Sequence, residues 1–337
     1  MRLVTVTPAG RRRYLEALVP YLLRSRDVIA EHRWWVNTRN PQDLAYLHGL
    51  VDQYPDFFRL VVEPIDPQLR IGEQIWRYMR SCDEAETVYV RLDDDICYID
   101  DGAIQRLYER RVADREPFLV LGLIVNNAIC SHFYQQAGVL PTSWGVVGQD
   151  CMDEVGWKNP HFARRVHRAF LADLRAGDIG RWRGLETAFD GVRRFSVNAI
   201  CWRGEDMGLV DDRWRDDVDE ELFVTDDLPR RFNRPNVICS EALFGHYAFF
   251  TQRKFLEGVA PEILDAYRRI AVAADPTQAT PPSPVEASRL AVRRNQGRLY
   301  WNARAVVHGA KNLLKRVDPV APAVESADEA TETRNAA

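Results

Sequence analysis

The run FLVLGLIV at residues 118–125 constrains this chain most, because it carries no polar side chain. A strand with one wet face alternates apolar and polar residues, whereas one covered on both faces reads as a continuous apolar run. Residues 118–125 therefore predict an inner strand of a sheet with helices on both faces. Upstream, short apolar runs at 3–6, 34–36, 58–62 and 87–92 alternate with helical spacings. Tyr14, Leu15, Leu18, Val19 and Leu22 make one helical face, and Ile71, Ile75, Trp76 and Met79 make another. Strands and helices alternating at this pitch argue for right-handed βαβ units on a largely parallel sheet, an α/β fold.

The later chain is less regular. Residues 131–195 are rich in Trp, Arg and Gly and read as an irregular insertion. A strand is expected at 195–202, a helix at 220–231, a strand at 237–250 interrupted by His246, and a closing helix at 256–270. The Pro- and Thr-rich stretch at 274–285 reads as a linker. Beyond it, Val292, Leu299, Val306 and Leu313 belong to one face of a basic amphipathic helix at 286–317. That helix has two readings: packing on its own domain, or peripheral contact with an anionic membrane surface. Residues 318–337 have the composition of a disordered tail.

Charge and cysteine content exclude several classes. With 45 basic and 49 acidic residues the net charge is -4, so no whole-surface nucleic-acid binding is expected. The six cysteines form no C-x-x-C pair, which predicts free thiols in a reducing compartment and hence a cytoplasmic protein, at most peripheral at the inner membrane face. No run of about 18 apolar residues is present to span a bilayer.

The segment TVYVRLDDDICYID, residues 87–100, is the most informative for chemistry. An apolar strand delivers three carboxylates to its C-terminal end, where open α/β sheets bind ligands. Three adjacent acids repel one another unless a cation is present. In an extended segment Asp93 and Asp95 point the same way. Hard oxygen ligands so spaced suit Mg²⁺ or Mn²⁺ carrying a diphosphate. The plain alternative is an acidic, solvated turn.

Ending a strand in such a D-x-D, the sequence resembles the GT-A class of nucleotide-sugar glycosyltransferases. The resemblance implies a GT-A-like fold over residues 1–273, with a nucleotide-binding half at 1–130 and an acceptor half at 131–273, the C-terminal helix being an extension. It implies a Mn²⁺ or Mg²⁺ cofactor held by Asp93 and Asp95, with Asp94 on the donor's ribose or sugar. His246, in ICSEALFGHYAFF, would complete the metal site. Two acidic clusters compete to supply a catalytic base: Asp219 and Glu220 in DVDEELF, and Glu205 and Asp206 in WRGEDMG, the former standing at the more usual distance from the His. The first strand–helix turn offers Thr7, Gly10 and Arg11 to the donor; Gly72, Arg91, Asn126 and Asn127 are further donor contacts. The implied activity is transfer of a sugar from a nucleoside diphosphate donor to an acceptor hydroxyl, inversion being favoured. Alternatives are a non-catalytic module binding a sugar nucleotide or glycan, and a metal-dependent phosphoryl-transfer enzyme. The sequence holds no Walker, G-x-G-x-x-G or G-x-S-x-G motif to support other nucleotide or hydrolase chemistry.

Overall fold

The computed structural model describes residues 1–64, 71–211 and 219–274, with backbone alone at 71–73. The linker from residue 275 onward, the 286–317 helix and the 318–337 tail lie outside the described residues. The elements run β1 (Arg2–Ala9), α1 (Arg12–Arg24), β2 (Glu31–Val36), α2 (Pro41–Gln53), β3 (Phe58–Val61), α3 (Ile71–Arg80), β4 (Thr87–Leu92) and β5 (Ile96–Ile99). They continue through α4 (Ala103–Ala113), β6 (Val120–Val125), α5 (Ala128–Gln136), α6 (Pro160–Ala176), β7 (Ala199–Arg203) and α7 (Gly204–Met207). A helical segment follows, α8 (Glu220–Leu222) passing through a π turn (Phe223–Asp227) into α9 (Leu228–Phe232). β8 (Val237–His246), α10 (Phe250–Val259) and α11 (Glu262–Ala274) complete the described chain.

All eight strands form one sheet in the order β3-β2-β1-β4-β7-β6-β8-β5. β3, β2, β1 and β4 run parallel, as do β6 and β8, while β7 is antiparallel to β4 and β6. This is the largely parallel α/β sheet expected from the sequence. Every residue of β4, β6 and β7 is buried, so both sheet faces are covered. The sheet also curls. Four Cα steps from Leu92 to Ile96 reach at most about 14 Å. Four strand spacings across a flat sheet would come to about 19 Å. β5 nevertheless pairs with β8 on the far edge, so that edge must turn back toward β4.

Three expectations change, the first being that the strand expected at 237–250 ends at His246, with α10 starting at Phe250. The stretch 131–195 is not wholly irregular, because α6 runs for 17 residues within it. Its signals are local: Asn159 caps the amides of His161 and Phe162, Pro160 takes the first turn, and Gly177 closes it with φ 75°. The single closing helix is two helices, α10 and α11, with Pro261 between them, where proline's missing N–H cannot continue the first.

Candidate active site

Topology brings the site together at one sheet edge. β1, β4, β6 and β8 all end there, and antiparallel β7 starts there, since Leu92 pairs with Ala199. That edge therefore carries Gly10 and Arg11, the Asp93–Asp95 triplet, Asn126 and Asn127, Asn198, and His246. A cavity of about 280 Å³ opens among them, its polar wall including Arg11, Asp93, Asp95, Arg194, His246 and Arg253.

The triplet forms a turn rather than an extended segment: the Ile96 amide donates to the Asp93 carbonyl at 3.0 Å. Its three carboxylates consequently diverge. Asp93 receives Arg91 on Oδ1 and the Asn198 amide on Oδ2 at 3.0 Å. Asp94 is gripped by the Arg11 guanidinium and accepts the Gly10 amide at 3.3 Å. Asp95 faces Arg11 and Arg253 through Oδ2, at 3.1 and 3.2 Å, and His246 Nε2 through Oδ1 at 3.5 Å. Burial alone would raise the Asp95 carboxyl; the charges of Arg11, His246 and Arg253 outweigh it and hold it well below the usual carboxylate range.

His246 is oriented from behind. Its Nδ1 lies 3.1 Å from the Asn126 carbonyl, which can only accept, so Nδ1 carries the proton and donates. Asn126 holds that carbonyl in place from φ 61°, a left-handed position Asn tolerates. Its side-chain amide donates to the Tyr247 carbonyl and to Gln252, both at 3.0 Å. Nε2 faces the Asp95 carboxylate across 3.5 Å: a protonated ring holds it by charge, and a neutral ring turns a lone pair toward it, an arrangement a cation between the two would relieve.

A divalent ion fits that gap chemically: an imidazole with its other nitrogen fixed by a carbonyl, beside a buried carboxylate, is a common ligand pair. Among the described residues no group of three or more His, Cys, Asp or Glu side chains is close enough to hold a metal. Of the expected trio, Asp95 and His246 face each other, while the Asp93 carboxylate is engaged by Arg91 and Asn198. Two protein ligands still suffice for Mg²⁺ at phosphate sites, where water and phosphate oxygens complete the shell.

The acidic clusters separate cleanly. β7 runs antiparallel to β4, with Val88 opposite Arg203. Glu205 and Asp206, just after β7, therefore sit beside the start of β4, at the other edge of the sheet, and are not near the cavity. There Arg203 pairs with Glu205 and Arg234 with Asp206. Asp219 and Glu221 do line the cavity, bridged by Arg194 at 2.8 Å to each. Glu220 does not. It is buried against Arg91, whose other partner is Asp93. Burial pushes the Glu220 carboxyl up to about 7 against the pull of Arg91. Glu221 is raised by burial too, opposed by Arg194.

The remaining expected donor contacts divide likewise. Arg11 faces the cavity. Gly10 is needed for close approach, since a Cβ there would stand 2.8 Å from the Asn37 carbonyl oxygen. Thr7 is buried in β1 and its hydroxyl has no hydrogen-bond partner among the described residues. Gly72 lies in the first turn of α3. Arg91, Asn126 and Asn127 are buried, and their side chains are engaged with protein groups. Asn127 caps α5 through the Cys130 amide and reaches Asn198 at 3.2 Å. Sequence reasoning missed Asn198, Arg194 and Arg253. Asn198 precedes an apolar strand, a legible position; the two arginines are scattered among 41 (45 basic residues less four Lys) and carry no local signal.

No family model matches the sequence, and no curated protein matches it significantly. Solved structures with a similar arrangement exist at low identity. Glucosyl-3-phosphoglycerate synthase from Mycobacterium tuberculosis, in complex with Mn²⁺, UDP and phosphoglyceric acid, is 13% identical with a TM-score of 0.39, over 84% of this chain and 80% of that one. CMP:2-keto-3-deoxy-manno-octonic acid synthetase complexed with CTP is 12% identical with a TM-score of 0.42, over 81% and 99%. At such values the functional reading rests on the site's own geometry. All six cysteines are free and buried, and among the described residues no helix is long and apolar enough to cross a membrane.

Proposed function

We propose that this chain transfers a glycosyl group from a nucleoside diphosphate to an acceptor hydroxyl, with Mn²⁺ or Mg²⁺ held by Asp95 and His246. The observation that carries this reading is the Asp95–His246 pair facing across 3.5 Å at the strand-end edge, flanked by Arg11 and Arg253. A bound divalent cation supplies Lewis-acid neutralisation of the diphosphate. Arg11 and Arg253 hold the phosphates with planar guanidinium groups suited to paired oxygens. Glu221 is the base: it lines the cavity beside Arg194, and burial raises its carboxyl above the ordinary glutamate value, the direction that favours accepting a proton. The acceptor oxygen bonds to the anomeric carbon as the carbon–oxygen bond to phosphate breaks. The bonding electrons leave with the diphosphate and the hydroxyl proton passes to Glu221. A single displacement of this kind inverts the anomeric centre. Arg91 and Glu220 form a buried ionic support behind the turn, joined through Arg91 to Asp93 in the cavity wall.

A panel of nucleoside diphosphate sugars tests the reading, with calorimetric binding and slow donor hydrolysis measured with and without Mn²⁺. One donor binding more tightly with the metal, and turning over, is expected. Binding without turnover in the presence of diverse acceptors would leave a non-catalytic module. Failure of every donor to bind would overturn the proposal.

A further inference from the structure

Donor chemistry leaves one wall of the cavity without a task. Met152, Trp157, Phe249 and Phe250 line it beside the charged groups. Phe250 is 70% exposed and Met152 45%, the two exposed large apolar residues that reach this cavity among the described residues. The aromatic rings run without a break from the proposed metal ligand to solvent. Phe249 packs against His246 at 4.6 Å, Trp157 stands 6.3 Å from Phe249, and the Phe250 ring meets Trp157 edge-on at 5.1 Å. Thr251 fixes the loop that carries Trp157 by donating to its carbonyl at 2.6 Å.

The same cavity is lined by Arg194, Asp219 and Glu221, so an exposed aromatic ring and hydrogen-bonding groups share one space. A pyranose ring has the matching anatomy: C–H bonds over one face and hydroxyls around the perimeter. An alkyl chain would use the rings but leave those ionic groups facing hydrocarbon, at the cost of unpaired polar groups. We infer that the acceptor is a pyranoside whose C–H face stacks on the exposed Phe250 ring, with Trp157 edge-on beside it, presenting one hydroxyl to Glu221. The inference rests on the transferase reading above and names its acceptor class.

The test uses the full chain with Mn²⁺ and a panel of methyl pyranosides of the gluco, galacto, manno and rhamno series. Saturation-transfer NMR reads contact with ring C–H protons, and calorimetry with nucleoside diphosphates is run on the same samples. At least one pyranoside is expected to receive saturation at its ring protons. That signal should fall fivefold or more in Phe250→Ala and persist in Phe250→Tyr, which keeps the ring. In turnover, Phe250→Ala should raise the acceptor KM at least fivefold and leave the donor KM unchanged. Nucleoside diphosphate binding without any pyranoside signal, or a signal indifferent to Phe250→Ala, overturns this inference and leaves the donor reading standing. Decyl phosphate saturating in a Phe250-dependent way while every pyranoside is silent overturns it in favour of a lipid acceptor. A Phe250-dependent pyranoside signal in a protein that binds no nucleoside diphosphate supports the sugar subsite and defeats the donor reading instead.

Discussion

Glu220 and Glu221 are neighbours in sequence, yet their amide variants should behave oppositely. Glu220 is sealed against Arg91, and its carboxyl titrates near 7, above its ordinary value of 4.5. Near neutral pH it is about half protonated, and glutamine copies the protonated form in shape while Arg91 keeps Asp93. At pH 5, where the group is largely protonated, Glu220→Gln should therefore change stability by less than about 1 kcal/mol, and turnover by less than about threefold. Glu220→Ala removes the acceptor and opens a void beside a buried guanidinium. That should cost about 2–4 kcal/mol, or roughly 5–15 °C in Tm for a domain of this size. The pH dependence follows from the direction of the shift. A raised folded value means the native state binds more protons between about 4.5 and 7, so this contribution is complete below the unfolded value and lost as pH rises through 7. Stability of the parent relative to Glu220→Gln should fall across that window, by at most about 3 kcal/mol. Glu221→Gln removes the proposed base: turnover should drop by about 10²–10⁴ with donor affinity retained. Calorimetric unfolding from pH 5 to 7.5 and initial rates with donor and acceptor measure all of these. A Glu220→Gln protein that unfolds normally, binds donor normally and has lost turnover a hundredfold, beside an active Glu221→Gln, would refute the argument from accessibility.

Three further outcomes are expected. Asp95→Asn should weaken Mn²⁺-dependent donor binding at least tenfold by calorimetry while the fold persists, and His246→Ala should weaken it less, since a neutral ligand carries less of the charge balance. Glu205→Gln and Asp206→Asn should leave kcat and both KM values within about twofold, because their ion pairs lie at the opposite sheet edge and act through stability alone. Asn126→Gly keeps the left-handed backbone but deletes the amide contacts to Tyr247 and Gln252, so it should lower Mn²⁺ affinity through a loosened His246; equal affinity would show that the backbone alone positions the ring.

The parts of this site that were legible in the sequence are those fixed by local patterning. An apolar run that ends in acids had to end at a ligand-binding edge if the sheet was parallel, and His246, breaking an apolar strand, had to be buried with a partner. What the sequence withheld depends on direction and on distance along the chain. Reading Asp93 and Asp95 as cofacial assumed an extended segment. The chain instead turns there to reach β5: Asp93 turns to Arg91, while Asp94 and Asp95 share Arg11 and Asp95 also meets Arg253. Arg91 is two residues from Asp93, but Arg11 stands 83 residues from Asp94 and Arg253 stands 158 from Asp95, so no window could pair those two.

The rival acid clusters turn on the same point. Glu205–Asp206 and Asp219–Glu221 both stand at a helix start, and apart from their spacing to His246 little in the sequence separates them. The direction of β7 does. Had that strand run parallel to β4, its C-terminal acids would stand beside Asp93. Running antiparallel, it brings Asn198 to the site instead and carries Glu205 and Asp206 some 13 Å away along the four residues from Leu92 to Val88. The exchange leaves Asn198 bridging Asp93 and Asn127 at the strand-end edge. One strand's direction thus both withdraws two carboxylates from the chemistry and supplies the amide that ties the acidic turn to the neighbouring strand end.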